Sequence, residues 1–125
     1  MLPVSLIIDS KEKFSSTKFP VLPAVTYELS CDGTQRWCDS YIKTSPKGFW
    51  NPLASIAGLR VKKVKCFCLC GCYDDDLNTA FAIGTGCRIT SDRKGYLSFF
   101  ANDADAHYRN NEGSIVLKIR QVSDF

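Results

Sequence analysis

Asn102-Asp103-Ala104-Asp105-Ala106-His107-Tyr108-Arg109-Asn110-Asn111-Glu112-Gly113-Ser114 runs directly into Ile115-Val116-Leu117-Lys118-Ile119, and the change of character between the two sets the class of fold. Successive side chains on a strand point to opposite faces. The alternation of apolar and polar residues from Ser114 to Val122 therefore reads as a strand with one buried face. The run Gly95 to Ala101 ahead of the loop reads as a second strand. The segment between them is rich in Asn, Asp and Gly, whose side chains bond the local backbone and tolerate left-handed conformations. It reads as a loop joining the two.

Outward from this stretch, short alternating or apolar runs recur at Val4 to Ile8, Ala24 to Ser30, Leu59 to Lys65, Val64 to Cys72, Ala80 to Ile83 and Cys87 to Thr90. Helical periodicity is poor throughout, and only Leu53 to Leu59 offers a short helical turn. Several short strands with turn residues between them predict an all-β, antiparallel sandwich or barrel. No repeat, low-complexity tract or linker divides the sequence, so residues 1–125 are expected to form a single domain. That length is enough to bury about two-thirds of the unfolded surface.

Sixteen Lys and Arg against 13 Asp and Glu give a formal charge of +3. The densest basic cluster, Arg60, Lys62, Lys63 and Lys65, largely alternates with apolar residues, as on a strand with one solvated face. No nucleic-acid recognition motif accompanies it, so nucleic acid is not an expected partner. The apolar run Val4 to Ile8 is too short for a signal-peptide core and lacks a basic start. No run approaches the roughly 20 apolar residues of a membrane helix. The expectation is a protein that does not insert into membranes, cytoplasmic as synthesised, and released, if at all, without a classical signal peptide.

Seven cysteines cannot all pair internally. Four stand in Cys66-Phe67-Cys68-Leu69-Cys70-Gly71-Cys72. On an extended strand neighbouring thiols of one face lie roughly 6.5 Å apart, whereas Zn–S bonds of about 2.3 Å in a tetrahedron bring sulfurs within about 4 Å. The four cannot close on one ion while the strand is intact. They read as small buried hydrophobes, with Phe67 and Leu69 on the opposite face. Pairing of this strand with Cys87, or of Cys31 with Cys38, is left open by the sequence. Asp74-Asp75-Asp76 beyond the cysteines reads as a hairpin tip rather than an ion site.

The loop 102–114 offers different chemistry. A hard cation such as Ca²⁺ takes six to eight oxygens from carboxylates, amide and backbone carbonyls, and water. Asp103 supplies a carboxylate, Asn110 and Asn111 two amide oxygens, and the turn between them a backbone carbonyl, that of His107. With few carboxylates, such a loop leaves coordination positions for a polar ligand.

The spacing of Asp103, His107, Tyr108, Asn110, Asn111, Gly113 and Ser114, with the strand that follows, resembles the calcium loop and last strand of the PA-I type galactophilic lectins. Gly33-Thr34-Gln35-Arg36-Trp37, ahead of a loop ending in Asn51-Pro52, is similar to that family's other binding-site segment. The resemblance implies a small jelly-roll-like antiparallel β-sandwich. It implies Ca²⁺ held by Asp103, Asn110, Asn111 and the backbone oxygens of His107 and Cys31, the last where the family has a tyrosine. It further implies galactose-containing glycans as partners, with two sugar hydroxyls on the metal, and a homo-oligomer, tetramer or dimer. The sugar-binding set it implies is Asn51, Pro52, Asp103, Ala104, His107, Asn110 and Asn111. Asn51 stands where the family has a sugar-contacting histidine, and Ala54 where it has a glutamine. The loop between Trp37 and Pro52 is longer and contains Tyr41, Phe49 and Trp50.

Sugar recognition needs polar groups for hydroxyls and an aromatic surface for the C–H face. Gln35 and Trp50 complete the candidate set, and Tyr108 is available either for this task or as a core anchor. Catalysis finds less support. His107 is the single histidine, and no Gly-x-Ser-x-Gly or phosphate-cradling loop is present. Cys31 or Cys38 beside His107 would make a thiol–imidazole pair, but no orienting group or oxyanion hole accompanies it. The expected protein is a calcium-dependent lectin and not an enzyme. The alternative is a sandwich with a structural calcium that binds a protein or another glycan.

Overall fold

A computed structural model describes residues 3–51 and 58–122. Eight strands form two antiparallel four-stranded sheets. In the first, β1 (Val4–Asp9), β11 (Ser114–Gln121), β3 (Thr26–Ser30) and β8 (Gly86–Thr90) lie in that order; in the second, β2 (Phe19–Val21), β9 (Gly95–Ala101), β6 (Leu69–Tyr73) and β7 (Asp76–Ala82). Each order interleaves early and late strands, which is the double Greek key of a jelly roll. The sequence-based sandwich is therefore found. A third, small sheet joins β4 (Trp37–Asp39) and β5 (Ile42–Thr44), which lie between β3 and β6 in the chain, to β10 (Asn111–Glu112) at the end of the loop that follows β9.

Alternation drives the two sheets together. In β11 the buried residues are Ile115, Leu117 and Ile119; β1 adds Leu6 and Ile8, and β3 adds Tyr27 and Leu29. They pack in one cluster with Phe19, Val21, Leu69, Leu97 and Phe99 of the facing sheet. Each such side chain contributes about 1.5–3 kcal/mol relative to exposure. The second sheet is also covered on its outer face, where Cys68, Cys70, Cys72 and Phe100 meet Phe14, Val61, Val64 and Ala80. This double cover explains why β6 is buried from end to end. All seven cysteines are unpaired, so neither disulfide left open by the sequence forms.

Two sequence-based strands need correction. Leu59 to Lys65 does not form a strand: Leu59 makes one isolated bridge to Ala104, and the chain then turns. The reason is a buried side chain forty residues away in sequence. The Asn102 amide nitrogen donates to the carbonyls of Val61, Val64 and Lys65, and its oxygen accepts the Val61 N–H. These bonds fix residues 61–65 as a loop across the outer thiol face. The cysteine strand begins at Leu69 rather than Val64, because Phe67 adopts φ 62° and breaks the pleat. The expected helical turn at Leu53 to Leu59 lies almost wholly outside the described residues. Asp74 and Asp75, with φ 53° and 55°, form the two-residue tip of the β6–β7 hairpin, the geometry of a type I′ turn.

Gly113 joins the small sheet to the large one. Its φ is +90°, and a Cβ there would meet the Trp37 Cα at 3.1 Å. Only glycine lets the chain leave β10, pass this close to β4 and enter β11.

Candidate functional site

The oxygen-rich loop folds as a 3₁₀ helix, Asp105–Asn110, between β9 and β10. Tyr108 pins it from below, donating to the Ala101 carbonyl at 2.6 Å and accepting from Arg60 at 2.8 Å. The Arg60 guanidinium in turn lies over the rings of Phe14, Phe100 and Tyr108. Tyr108 is thus a core anchor. At the loop's far end, β10 pairs with β4, setting Asn111 opposite Asp39. The Ser40 N–H donates to the Asn110 carbonyl at 3.2 Å.

This pairing brings three segments to one corner. Ligand atoms of Asp39, Cys66 and Asp103 all lie within 4.8 Å of one another, and the Cys66 thiol reaches an Asp39 oxygen at 3.6 Å. Asp103 is 3% exposed and Asn111 0%. One Asp103 oxygen accepts the Ala104 N–H at 2.8 Å, and the Asn111 amide nitrogen donates to the Ser10 carbonyl at 2.9 Å. The second Asp103 oxygen, Oδ2, and the Asn111 amide oxygen, Oδ1, are buried without a hydrogen-bond partner among the described residues. Burial raises the Asp103 carboxyl above its ordinary range, and the neighbouring Asp39 charge adds to the effect against the Ala104 bond and the adjacent Asn111 amide. Burial first, then the Asp39 and Asp103 charges, push the Cys66 thiol up to about 12. The corner thus gathers acceptor oxygens of which two have no donor among the described residues, and buried lone pairs of this kind favour a cation.

Of the residues expected from sequence, Asp103 and Asn111 face this corner, and Ala104 is buried beside them. His107 and Asn110 lie on the exposed rim of the 3₁₀ helix. Cys31 stands elsewhere, level with the middle of β11: its N–H donates to Thr85 and its thiol to Gly84. Gln35 is engaged at both ends of its amide with the Val116 backbone, at 2.8 and 3.1 Å. It takes up the β11 backbone groups where β3 has ended and so serves as a strand substitute. Trp50 is 66% exposed and lines a separate cavity of about 340 Å³ with Lys47, Lys63, Lys65 and Cys68. Asn51 follows it, and Pro52 and Ala54 lie outside the described residues.

Sequence reasoning missed Asp39 and Cys66 as site residues, and named Tyr41 only as part of the longer loop. Asp39 carries no spacing signal, and it arrives only because β4 pairs with β10. Cys66 is grouped by sequence with the strand thiols, and the break at Phe67 turns it to the other side. Tyr41, 96% exposed at the tip of the β4–β5 hairpin, adjoins the Ser40–Asn110 bond and therefore the rim of the corner.

No protein-family model matches the sequence, and a search of curated protein sequences finds no match. Among solved structures, the chain matches the EclA N-terminal domain, a PllA-like lectin, with a TM-score of 0.67 over 94% of this chain and 95% of that one. The fold is one that a lectin domain uses. Sequence identity is 16%, so the likeness establishes shared architecture over nearly the whole chain and leaves the chemistry of the corner to its own residues.

Proposed function

We propose that this protein is a calcium-dependent carbohydrate-binding protein and not an enzyme, with galactose and galactosides as its first ligands. The observation that carries the reading is the pair of buried oxygens with no partner among the described residues, Asp103 Oδ2 and Asn111 Oδ1, with Asp39 close to Asp103 and paired opposite Asn111. Hard oxygen donors of this kind fit Ca²⁺, and Asp39, Asp103 and Asn111 are the residues that would hold it, with Asn110 and the His107 carbonyl at the rim. Bound calcium would supply coordination positions for two sugar hydroxyls. Tyr41 supplies an exposed ring next to the rim for the C–H face of the sugar, a task that falls to it rather than to Trp50, which lines the separate cavity, or to the buried Tyr108.

Single lectin sites bind simple sugars weakly and gain avidity by repetition, so a homo-oligomer belongs to the reading. Ile7 and Val116, opposed across β1 and β11, present exposed apolar side chains on the outer face of the first sheet.

Calorimetric titration of galactose with calcium, and again with excess chelator, tests the proposal. Binding only with calcium is expected; binding in both conditions, or in neither, overturns it. A second reading, a structural calcium beneath a protein-binding surface, is favoured by the near-complete burial of Asp103 and Asn111. Calcium affinity separates the two. It rises on adding sugar when both share a coordination sphere and stays constant otherwise, because coupling between ligands is reciprocal.

A further inference from the structure

We propose that Asp39, Cys66 and Asp103 form a site for a thiophilic divalent cation of the zinc class, with Asn111 Oδ1 as the fourth donor. The proposal rests on the reading of this corner as the metal centre and adds a second, competing class of metal to it. Three donors converge from the end of β4, the residue before the Phe67 break and the second residue after β9, and Asn111 of β10 is paired directly opposite Asp39. Asp103 Oδ2 and Asn111 Oδ1 are buried oxygens with no partner among the described residues.

The thiol decides the class of metal. Calcium takes oxygen ligands and gains nothing from sulfur, whereas thiolates select zinc and related ions. A tetrahedral zinc with Zn–S near 2.3 Å and Zn–O near 2.1 Å holds its sulfur and oxygen about 3.5 Å apart. The Cys66 Sγ to Asp39 Oδ2 separation is 3.6 Å, so these donors need little movement to share one ion. The remaining cysteines of the segment are not rivals. Cys68, Cys70 and Cys72 lie on the outer face among Phe14, Val61, Val64 and Phe100, and Cys66 alone of the four turns toward carboxylates. Asp39 is half-buried, which leaves an entry from solvent at its side of the corner. On binding, the Cys66 S–H bond breaks, its proton leaves to solvent, and the sulfur lone pair forms the metal bond. Zinc and calcium exclude one another here because both require the Asp103 carboxylate.

The test uses the full chain kept reduced, with cobalt(II) as a spectroscopic stand-in for zinc and calcium titrated separately. Cobalt is expected to give thiolate-to-metal charge-transfer absorption that one equivalent of zinc removes. Cys66→Ser should abolish that absorption and weaken zinc binding at least ~100-fold, while changing calcium affinity by less than ~3-fold. Persistence of the absorption in Cys66→Ser, or unchanged zinc affinity, overturns the proposal. Calcium binding without zinc binding also overturns it and leaves the calcium reading standing; zinc binding without calcium binding supports it and sinks the calcium reading. Where circular dichroism shows Cys66→Ser to be unfolded, Asp39→Asn, which keeps the thiol, takes its place. It should weaken zinc ~10-fold or more, and an unchanged affinity there counts against the site.

Discussion

The hairpin tip Asp74-Asp75-Asp76 and the corner of Asp39, Asp103 and Asn111 are both crowded with side-chain oxygens, and the fold treats them in opposite ways. At the tip every carboxylate has a donor from its own chain. Asp74 accepts the Tyr96 N–H, Asp75 the Ser98 hydroxyl and the Lys18 ammonium, and Asp76 the Asn78 N–H. At the corner, deeper in the protein, Asp103 and Asn111 each keep one side-chain oxygen with no donor among the described residues. Burial raises Asp103. It also acts to raise Asp75, but the Ser98 and Lys18 bonds outweigh it and the net shift is downward. A run of three acids in sequence is thus less informative than two oxygens left without a partner. Charge density alone does not single out a candidate ion site, whereas buried acceptor oxygens with no donor among the described residues do call for an explanation.

The largest expected effect separates the two clusters by function. Asp103→Ala should reduce calcium-dependent galactoside binding at least ~100-fold, about 2.7 kcal/mol, whereas Asp75→Ala should leave it within ~2-fold, both read by calorimetry. Retained binding in the Asp103 variant would remove the corner from the function. Loss in the Asp75 variant, with folding intact, would put the tip on equal terms with it.

The next effect concerns Asn102, next to Asp103 in sequence and its opposite in hydrogen bonding. Its amide is fully used in holding residues 61–65 over the outer thiol face. Asn102→Ala should cost about 1–3 kcal/mol, because it removes the hydrogen-bond partner of the Val61 N–H and of the Val61 and Val64 carbonyls, while the Lys65 carbonyl still accepts the Cys68 N–H. Urea denaturation measures the loss, and faster alkylation of Cys68, Cys70 and Cys72 should accompany it. A neutral outcome would mean that the loop is held by Val61 and Val64 packing alone.

The same two residues show what a sequence can and cannot display. β9 is legible to the residue and β11 nearly so, because each presents uninterrupted strand character between clear turn residues. β2, β4, β5 and β10 span two or three residues each, too few to carry a period. Leu59 to Lys65 has a strand's alternation but is bent by a side chain from position 102, an interaction that no local pattern encodes. The site divides along the same line. Asp103 and Asn111 are legible as oxygen donors in one loop, whereas Asp39 and Cys66 reach the corner through strand pairing and a backbone break at Phe67.

A pH series sharpens the contrast further, since the two carboxyls move in opposite directions. Asp103, raised on folding in the metal-free protein, contributes stability that is present below the ordinary carboxylate range and is lost as pH rises through its folded value. Asp103→Asn should therefore gain on the metal-free parent between acid and neutral pH, and added calcium should reverse the order by binding the folded parent. Asp75, lowered on folding, contributes stability that is present above the ordinary range and is lost as pH falls through its folded value. Asp75→Asn should lag behind the parent at neutral pH and draw level in acid. Thermal melts of the three proteins with chelator check both slopes, and parallel slopes would mean that burial does not dominate at Asp103.

The smallest effect is that of the ion pair at the tip. Lys18 and Asp75 meet at 3.1 Å, with about a third of each side chain exposed. Partly solvated pairs of this kind contribute about 0–1 kcal/mol and are screened by salt. Lys18 also lies 5.8 Å from the ring centroids of Phe14 and Tyr96, so its removal combines a weak charge pair with weak cation–π contacts. A double-mutant cycle of Lys18→Met and Asp75→Asn should return a coupling below about 1 kcal/mol, shrinking further at high salt. A larger, salt-resistant coupling would show that the tip is electrostatically tighter than its exposure implies. The distinction between a satisfied acidic cluster and an unsatisfied one would then rest on the unpartnered oxygens of the corner alone.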